Sequence, residues 1–171
     1  MKPRKIRIIG CSGSGKTWLG IRLAERLGLE RLDLDDIFWN NGPDSFGARA
    51  DPGQRDAALE KFVSRDGWVI EGVYHQWTAA TFEKADLIII LKPGVITSTL
   101  RILARFLRRR LGLDISKKKE SLKGLMELLK WNISYRRDDM KQIEKTAGSF
   151  TGKAMVFSGK KEITRFLESL R

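Results

Sequence analysis

The stretch that decides the reading is Lys5-Ile6-Arg7-Ile8-Ile9, then Gly10-Cys11-Ser12-Gly13-Ser14-Gly15-Lys16-Thr17, then the run from Trp18 to Leu27. A short β-branched segment feeds directly into a glycine loop. Leu19, Leu23 and Leu27 then recur at helical spacing before Gly28. This order predicts a buried central strand, a tight loop and an amphipathic helix. The loop satisfies G-x-x-x-x-G-K-[S/T]. Gly10, Gly13 and Gly15 can take backbone angles denied to other residues and let amides approach an anion closely. Successive N–H groups and the positive end of the helix then cradle phosphate oxygens. Lys16 is the residue type that bridges the β- and γ-phosphates, and a hydroxyl at Thr17 can ligate Mg²⁺. All eight residues, Gly10, Cys11, Ser12, Gly13, Ser14, Gly15, Lys16 and Thr17, are therefore candidates for holding ATP with Mg²⁺. The competing account is a glycine-rich turn that binds nothing. Cys11, the one cysteine, has no partner thiol and reads as a loop filler.

Outward from the loop, strand-like and helix-like segments alternate, the pattern of parallel βαβ units. Leu32–Leu34 reads as a second strand and Trp68–Gly72 as a third. Ala85–Leu91, the most apolar run, reads as a fourth strand covered on both faces. Ala154–Phe157 reads as a fifth. Asp51-Pro52 opens a helix with an N-cap followed by proline, and Gly67 closes the segment. Residues 97–111 and 120–145 read as helices, and Ser158 is a candidate cap for a last one. The expectation is an α/β protein: a five-stranded parallel sheet flanked by helices. A basic helical insertion, at about 97–145, lies between the fourth and fifth strands. With 171 residues, residues 1–171 are expected to form one unit.

In an open parallel sheet, ligands bind beyond the carboxyl ends of the strands. Two acids fall there: Asp35, in Asp33-Leu34-Asp35-Asp36, and Glu71, at the end of Trp68–Gly72. Either can orient metal-bound water or accept a proton from an attacking hydroxyl. The plainer alternative makes Asp35 or Asp36 the cap of a helix starting near Ile37. Asp86, at the other end of its strand, reads as structural. The apolar fourth strand ends in Leu91-Lys92-Pro93, without the metal-binding aspartate common in motors and switch GTPases. No guanine-reading N-K-x-D segment is present. Both observations point to a small-molecule kinase.

The net charge is +12. Residues 1–90 carry thirteen Lys/Arg and thirteen Asp/Glu, so the whole excess lies in residues 91–171. Arg101, Arg105 and Arg108 share a helical stripe, with Arg109 beside it. Such arginines can close over a nucleotide, neutralise charge on a transferred group and exclude water. Arg136-Arg137 forms a second cluster. The rival reading is a nucleic-acid surface with Trp131 and Tyr135 for stacking. Trp39 and Trp77 are candidates to line a substrate pocket, whereas Trp68 reads as core. His75, the one histidine, has no second ligand nearby in sequence. Hydrophobic residues make up 42% and charged residues 32% of the chain, a folded rather than a disordered composition. No apolar run approaches the roughly 18 residues of a membrane helix, so a cytoplasmic protein without a membrane partner is expected.

The phosphate loop resembles that of the adenylate-kinase-like P-loop kinases. Leu34-Asp35-Asp36-Ile37-Phe38-Trp39, Trp68-Val69-Ile70-Glu71-Gly72-Val73-Tyr74 and Phe82-Glu83-Lys84-Ala85-Asp86 narrow the likeness to the bacterial topology modulation proteins, a branch of that superfamily. The resemblance implies a P-loop NTPase three-layer sandwich with strand order 2-3-1-4-5 and a lid between strands four and five. It implies ATP and Mg²⁺ at the loop, Asp35 and Glu71 facing the acceptor, and Arg101, Arg105 and Arg109 as lid arginines. The implied partner is a small-molecule phosphoryl acceptor, with nucleic acid on the basic insertion as the alternative. Three departures stand out. Trp18 occupies the place of a small hydroxyl residue, Glu71 that of an aspartate, and Gly72 is not followed by the Phe-Pro-Arg that holds AMP.

Overall fold

The computed structural model describes residues 2–40, 48–113, 121–150 and 152–170. Its centre is a five-stranded, all-parallel sheet in the order β2-β3-β1-β4-β5, formed by β1 (Lys5–Gly10), β2 (Glu30–Asp33), β3 (Trp68–Gly72), β4 (Leu87–Leu91) and β5 (Ala154–Phe157). This is the order expected. β1 sits in the middle, with Ile8 opposite Glu71 on one side and Ile89 on the other. Alternation sends successive residues to opposite faces. Ile6, Ile8, Val69, Ile89 and Leu91 pack under α1 (Lys16–Leu27) and α8 (Lys160–Ser169). Ile9, Trp68, Ile70, Ile88 and Ile90 pack on the other face against α3 (Pro52–Val63), α4 (Ala79–Lys84) and α7 (Asp139–Gly148). The result is helix, sheet, helix, an arrangement that covers both apolar faces of the parallel sheet.

Between β4 and β5 lie α5 (Val95–Arg110), α6 (Leu122–Arg137) and α7. Ile102, Phe106 and Leu125 join α5 to α6 in a small core of their own. The segment expected as one helix over 120–145 is two. Residue 120 lies outside the described residues. α6 ends where the Asp138 amide donates to Ser134 O, and α7 restarts at Asp139. The break lets Met140, Ile143 and Ala147 turn onto the sheet.

Other boundaries also shift. β2 ends at Asp33, and Leu34 begins α2 (Leu34–Phe38), fully buried under the sheet edge. The cap of α2 is Asp33, whose carboxylate accepts from the Asp35 amide, rather than Asp35 or Asp36. α3 is capped by Asp51 with Pro52 at its first turn, as expected, but stops at Val63, short of Gly67. The last helix is capped by the Glu162 carboxylate, which accepts from the Ser158 and Gly159 amides, and not by the Ser158 hydroxyl. β4 begins at Leu87; Asp86 stays outside it and accepts from the Arg4 and Lys5 amides, pinning the end of the sheet away from the loop.

Candidate functional site

At the carboxyl end of β1 the chain turns through the loop into α1. Gly13 and Gly15 have φ of 72° and 98°, left-handed angles that a side chain resists. Gly13 is also crowded, because a Cβ there would lie 2.5 Å from Ser98 O on α5. Lys16 is half-buried, and desolvation of its ammonium pulls its pKa below the ordinary lysine value against the opposing pull of Glu71, Cys11, Asp35 and Asp33. Its Nζ donates to Cys11 O at 3.0 Å, which folds the side chain back along the loop. A desolvated ammonium beside a row of backbone amides is a donor set for an anion.

Thr17, the first turn of α1, donates through Oγ1 to Glu71 Oε2 at 3.2 Å. Glu71 is buried on β3, opposite Ile8, and its Oε1 accepts from Arg31 Nη1 at 2.6 Å. Arg31 comes from β2 and also lies 3.8 Å from Asp33. Gly20 on α1 keeps room for this pair, since a Cβ there would sit 3.3 Å from Arg31 Cδ. Desolvation pushes the Glu71 carboxyl up to about 7, with Asp33 adding to the rise and Lys16, Arg31 and Thr17 opposing it. Among the described residues, no group of three or more His, Cys, Asp or Glu side chains could hold a metal alone. Thr17 and Glu71 suit an ion that shares its ligands with phosphate oxygens, where a hydroxyl and a carboxylate stand side by side.

Asp35 is exposed in α2, and its Oδ1 accepts from the Tyr74 hydroxyl at 2.8 Å. Burial, and then the Asp35 charge, raise the Tyr74 phenol well above its usual range. Tyr74 stacks on Phe38 with ring centroids 4.4 Å apart and meets Trp77 at 5.4 Å, while Trp39 packs edge-on against Phe38. Trp39 and Trp77 thus belong to the aromatic cluster around Tyr74, the hydrogen-bond partner of Asp35, and Trp68 is core, donating to Val63 O. His75 Nε2 stands 3.8 Å from Asp139 on α7, beyond hydrogen-bond distance.

The arginines of α5 divide. Arg101 Nη1 donates to Gly13 O at 3.3 Å and Ser14 O at 3.1 Å. Arg105 Nη2 donates to Ser12 Oγ at 3.4 Å. Arg109 sits one turn further along, half-buried on α5, and Arg108 faces solvent. Trp18 is exposed on α1 with the Arg22 guanidinium 4.6 Å above its ring.

Three further arginines stand at the site: Arg31 and Arg7, which the sequence did not single out, and Arg136, which it marked only as part of a second basic cluster. Arg31 is the counter-charge of Glu71. Arg136 reaches from α6 to Cys11 Sγ at 3.3 Å and Pro93 O at 2.6 Å, tying the insertion to the loop. Arg7, buried within β1, donates to Ile8 O, Ile70 O and Tyr74 O, and burial brings its pKa down to about 10. Arg7 thereby fixes the connection that carries Tyr74. The available signal was a cation inside an otherwise apolar central strand. Tyr135 is buried with its hydroxyl on Val73 O, and Trp131 tilts against it at 4.9 Å. Tyr135 therefore presents no open face to a base, whereas Trp131 is exposed.

Solved structures share this architecture across nearly the whole chain. The shikimate kinase of Bacteroides thetaiotaomicron aligns with a TM-score of 0.61 at 16% identity, covering 99% of this chain and 97% of that one. A gluconokinase of Sinorhizobium meliloti 1021 gives 0.57 at 17% identity, over 98% and 89%. Shikimate kinase from Acinetobacter baumannii, solved in complex with shikimate, gives 0.56 at 18%, over 98% and 92%. The chain shares its fold with these kinase structures. At these identities the likeness extends to the fold and not to the substrate. No family model matches the chain. Among curated proteins, the uncharacterized protein YqaC of Bacillus subtilis (strain 168) is 30% identical over 89 residues, 52% of this chain. The match spans about half of that relative's length, 48%. No described helix is long and apolar enough to cross a membrane.

Proposed function

We propose that the chain is a cytoplasmic, MgATP-dependent phosphotransferase acting on a small hydroxyl- or phosphate-bearing acceptor. It would belong to the adenylate-kinase-like branch that the topology modulation proteins represent. The observation that carries this reading is the convergence of Lys16, Thr17–Glu71 and two α5 arginines on one loop. A turn that bound nothing would have no use for three cations gathered on it, Lys16 and Arg101 on its carbonyls and Arg105 on the Ser12 hydroxyl. When bound, MgATP supplies the γ-phosphoryl group and the metal that screens its charge.

The protein's own residues do the rest. The loop amides from Gly13 to Thr17 and Lys16 hold the phosphate chain. Thr17 would serve as the metal's hydroxyl ligand, with Glu71 behind it accepting the Thr17 hydrogen bond and so turning an oxygen lone pair toward the loop. Arg101 and Arg105 place positive charge over the loop from the insertion at about 97–145, which acts as a lid on a single domain spanning residues 1–171. Arg109, one turn on, is the lid arginine furthest from the loop. Asp35, exposed and aligned by Tyr74, takes the acceptor's hydroxyl proton. Trp39 and Trp77, of the aromatic cluster around Tyr74, limit the acceptor's size. Gly72 leads into Val73-Tyr74, without a Phe-Pro-Arg segment, which argues against AMP as the acceptor.

The deciding experiment is calorimetric titration of ATP into the protein and its Lys16→Ala variant, with a screen of nucleotides, sugars and hydroxy acids for acceptor-stimulated ADP release. ATP binding should weaken at least about tenfold in the variant and turnover should vanish. Equal ATP affinity in both proteins would sink the assignment.

A further inference from the structure

α5 presents a second face that the phosphate loop does not use. Ile96, Leu100, Leu107 and Leu111 are 76%, 60%, 57% and 70% exposed. Their steps of four, seven and four residues bring them onto one side of a helix. α6 repeats the first two steps with Leu122, Met126 and Ile133, all more than half exposed. Single exposed leucines are ordinary, but two neighbouring helices each bearing an apolar outer row are not. These rows are distinct from the inner contact, where Ile102 and Phe106 of α5 meet Leu125 of α6.

Charge identifies the occupant. α5 carries five arginines and no acid, and α6 carries four Lys/Arg against Glu127 alone. Arg108 and Arg110 flank the α5 row on its two sides. A second copy of this chain would bring the same cations against themselves, a like-charge contact that costs affinity. Nucleic acid would satisfy the arginines but leave the leucines in water, since phosphate recognition has no use for an aliphatic row. A surface that is apolar below and anionic above satisfies both sets at once. We propose that the outer faces of α5 and α6 dock this protein peripherally on an anionic lipid surface. The leucine row enters the headgroup–acyl boundary, and the flanking arginines stay at the level of the phosphates. Arg101 and Arg105 leave the same helix toward the loop, so the docked helix is also the one that touches the nucleotide site. This goes beyond the phosphotransferase reading and does not depend on it.

The test is co-sedimentation of the full chain with vesicles of phosphatidylcholine alone and of phosphatidylcholine with one-third phosphatidylglycerol. Binding should require the anionic lipid and weaken with salt without vanishing, because part of it is apolar. The double variant Leu100→Gln/Leu107→Gln should lose at least about tenfold in vesicle partitioning. Its circular dichroism and unfolding temperature should match the parent, since both side chains already face water. Failure of the parent to bind anionic vesicles would overturn the proposal, as would equal binding by the double variant. Two further results would also overturn it: a dimer in analytical ultracentrifugation that the two substitutions dissolve, which assigns the face to a second copy, and retention of duplex DNA that survives the substitutions and displaces the vesicles.

Discussion

Replacing Glu71 with glutamine tests the buried charge at the centre of the site without any assumption about substrate. Desolvation, helped by Asp33, raises the Glu71 carboxyl from an ordinary 4.5 to about 7 in the folded protein. Between those pH values the folded chain holds a proton that the unfolded chain has released. Unfolding therefore releases a proton in that window, and stability falls as pH rises through it. At about 1.4 kcal/mol per pH unit, the interval comes to roughly 3 kcal/mol, absent below pH 4.5 and complete above 7. Glutamine has nearly the same shape as the protonated acid and cannot ionise. In the Glu71→Gln variant this loss disappears, so the variant gains on the parent by roughly 3 kcal/mol between acid and neutral pH. Urea unfolding followed by tryptophan fluorescence across this range measures the difference directly. Stability curves that stay parallel, within about 0.5 kcal/mol, would show that Arg31 and Thr17 hold the carboxylate charged in the folded state, and would refute the reasoning.

Two glycines with similar backbone angles should respond differently to alanine. Gly13→Ala combines a left-handed φ with a Cβ 2.5 Å from Ser98 O; it should cost at least about 2 kcal/mol and weaken ATP binding by displacing α5. Gly28→Ala, at φ 63° with nothing within 4 Å, should cost about 1 kcal/mol and leave calorimetric ATP affinity unchanged. Asp86→Ala removes the acceptor of two amides at the far end of the sheet; it should lower stability by about 1–2 kcal/mol with ATP affinity intact. Arg101→Ala should reduce kcat about a hundredfold or more with an unfolding temperature close to the parent's. An unchanged kcat would remove Arg101 from the chemistry.

The parts of the fold that were legible are those whose pattern is local. β1, the loop and α1 follow from twenty-odd consecutive residues, and Trp68–Gly72 and Ala154–Phe157 were bounded correctly because each is a short apolar run between breakers. What misled were residues whose role is set from a distance. Leu34 looks like the end of a strand, yet the sheet edge buries it as the first residue of α2, pressed against Gly72, where a Cβ would come within 2.8 Å of it. Asp33 looks like one of three equivalent acids, yet only its backbone sits where the carboxylate can cap α2. Asp35 and Glu71 were both singled out, but sequence position alone did not reveal that one is exposed and the other buried. Arg7 and Arg136 were illegible as partners because the carbonyls they satisfy come from strands and loops remote in sequence. An arginine's surroundings are made by the tertiary structure, and its spacing in a helix tells only which neighbours it shares a face with.

The basic insertion resisted a single reading for the same reason. Net charge sums all the arginines together, whereas the helical period divides them. On α5, Arg101 and Arg105 are four residues apart and fall on the face that meets the loop, and Ile102 and Phe106, each one residue later, fall on the face that meets α6. Ala104, one residue before Arg105, is exposed in line with Leu100 and Leu107. Each residue turns the helix by about 100°. Moving the guanidinium of Arg105 one place toward the N-terminus would put it among the leucines of the outer row. Moving it one place the other way would bury it where Phe106 packs. Neither position can reach Ser12, so the register of the arginines, rather than their number, brings the insertion to the phosphate loop.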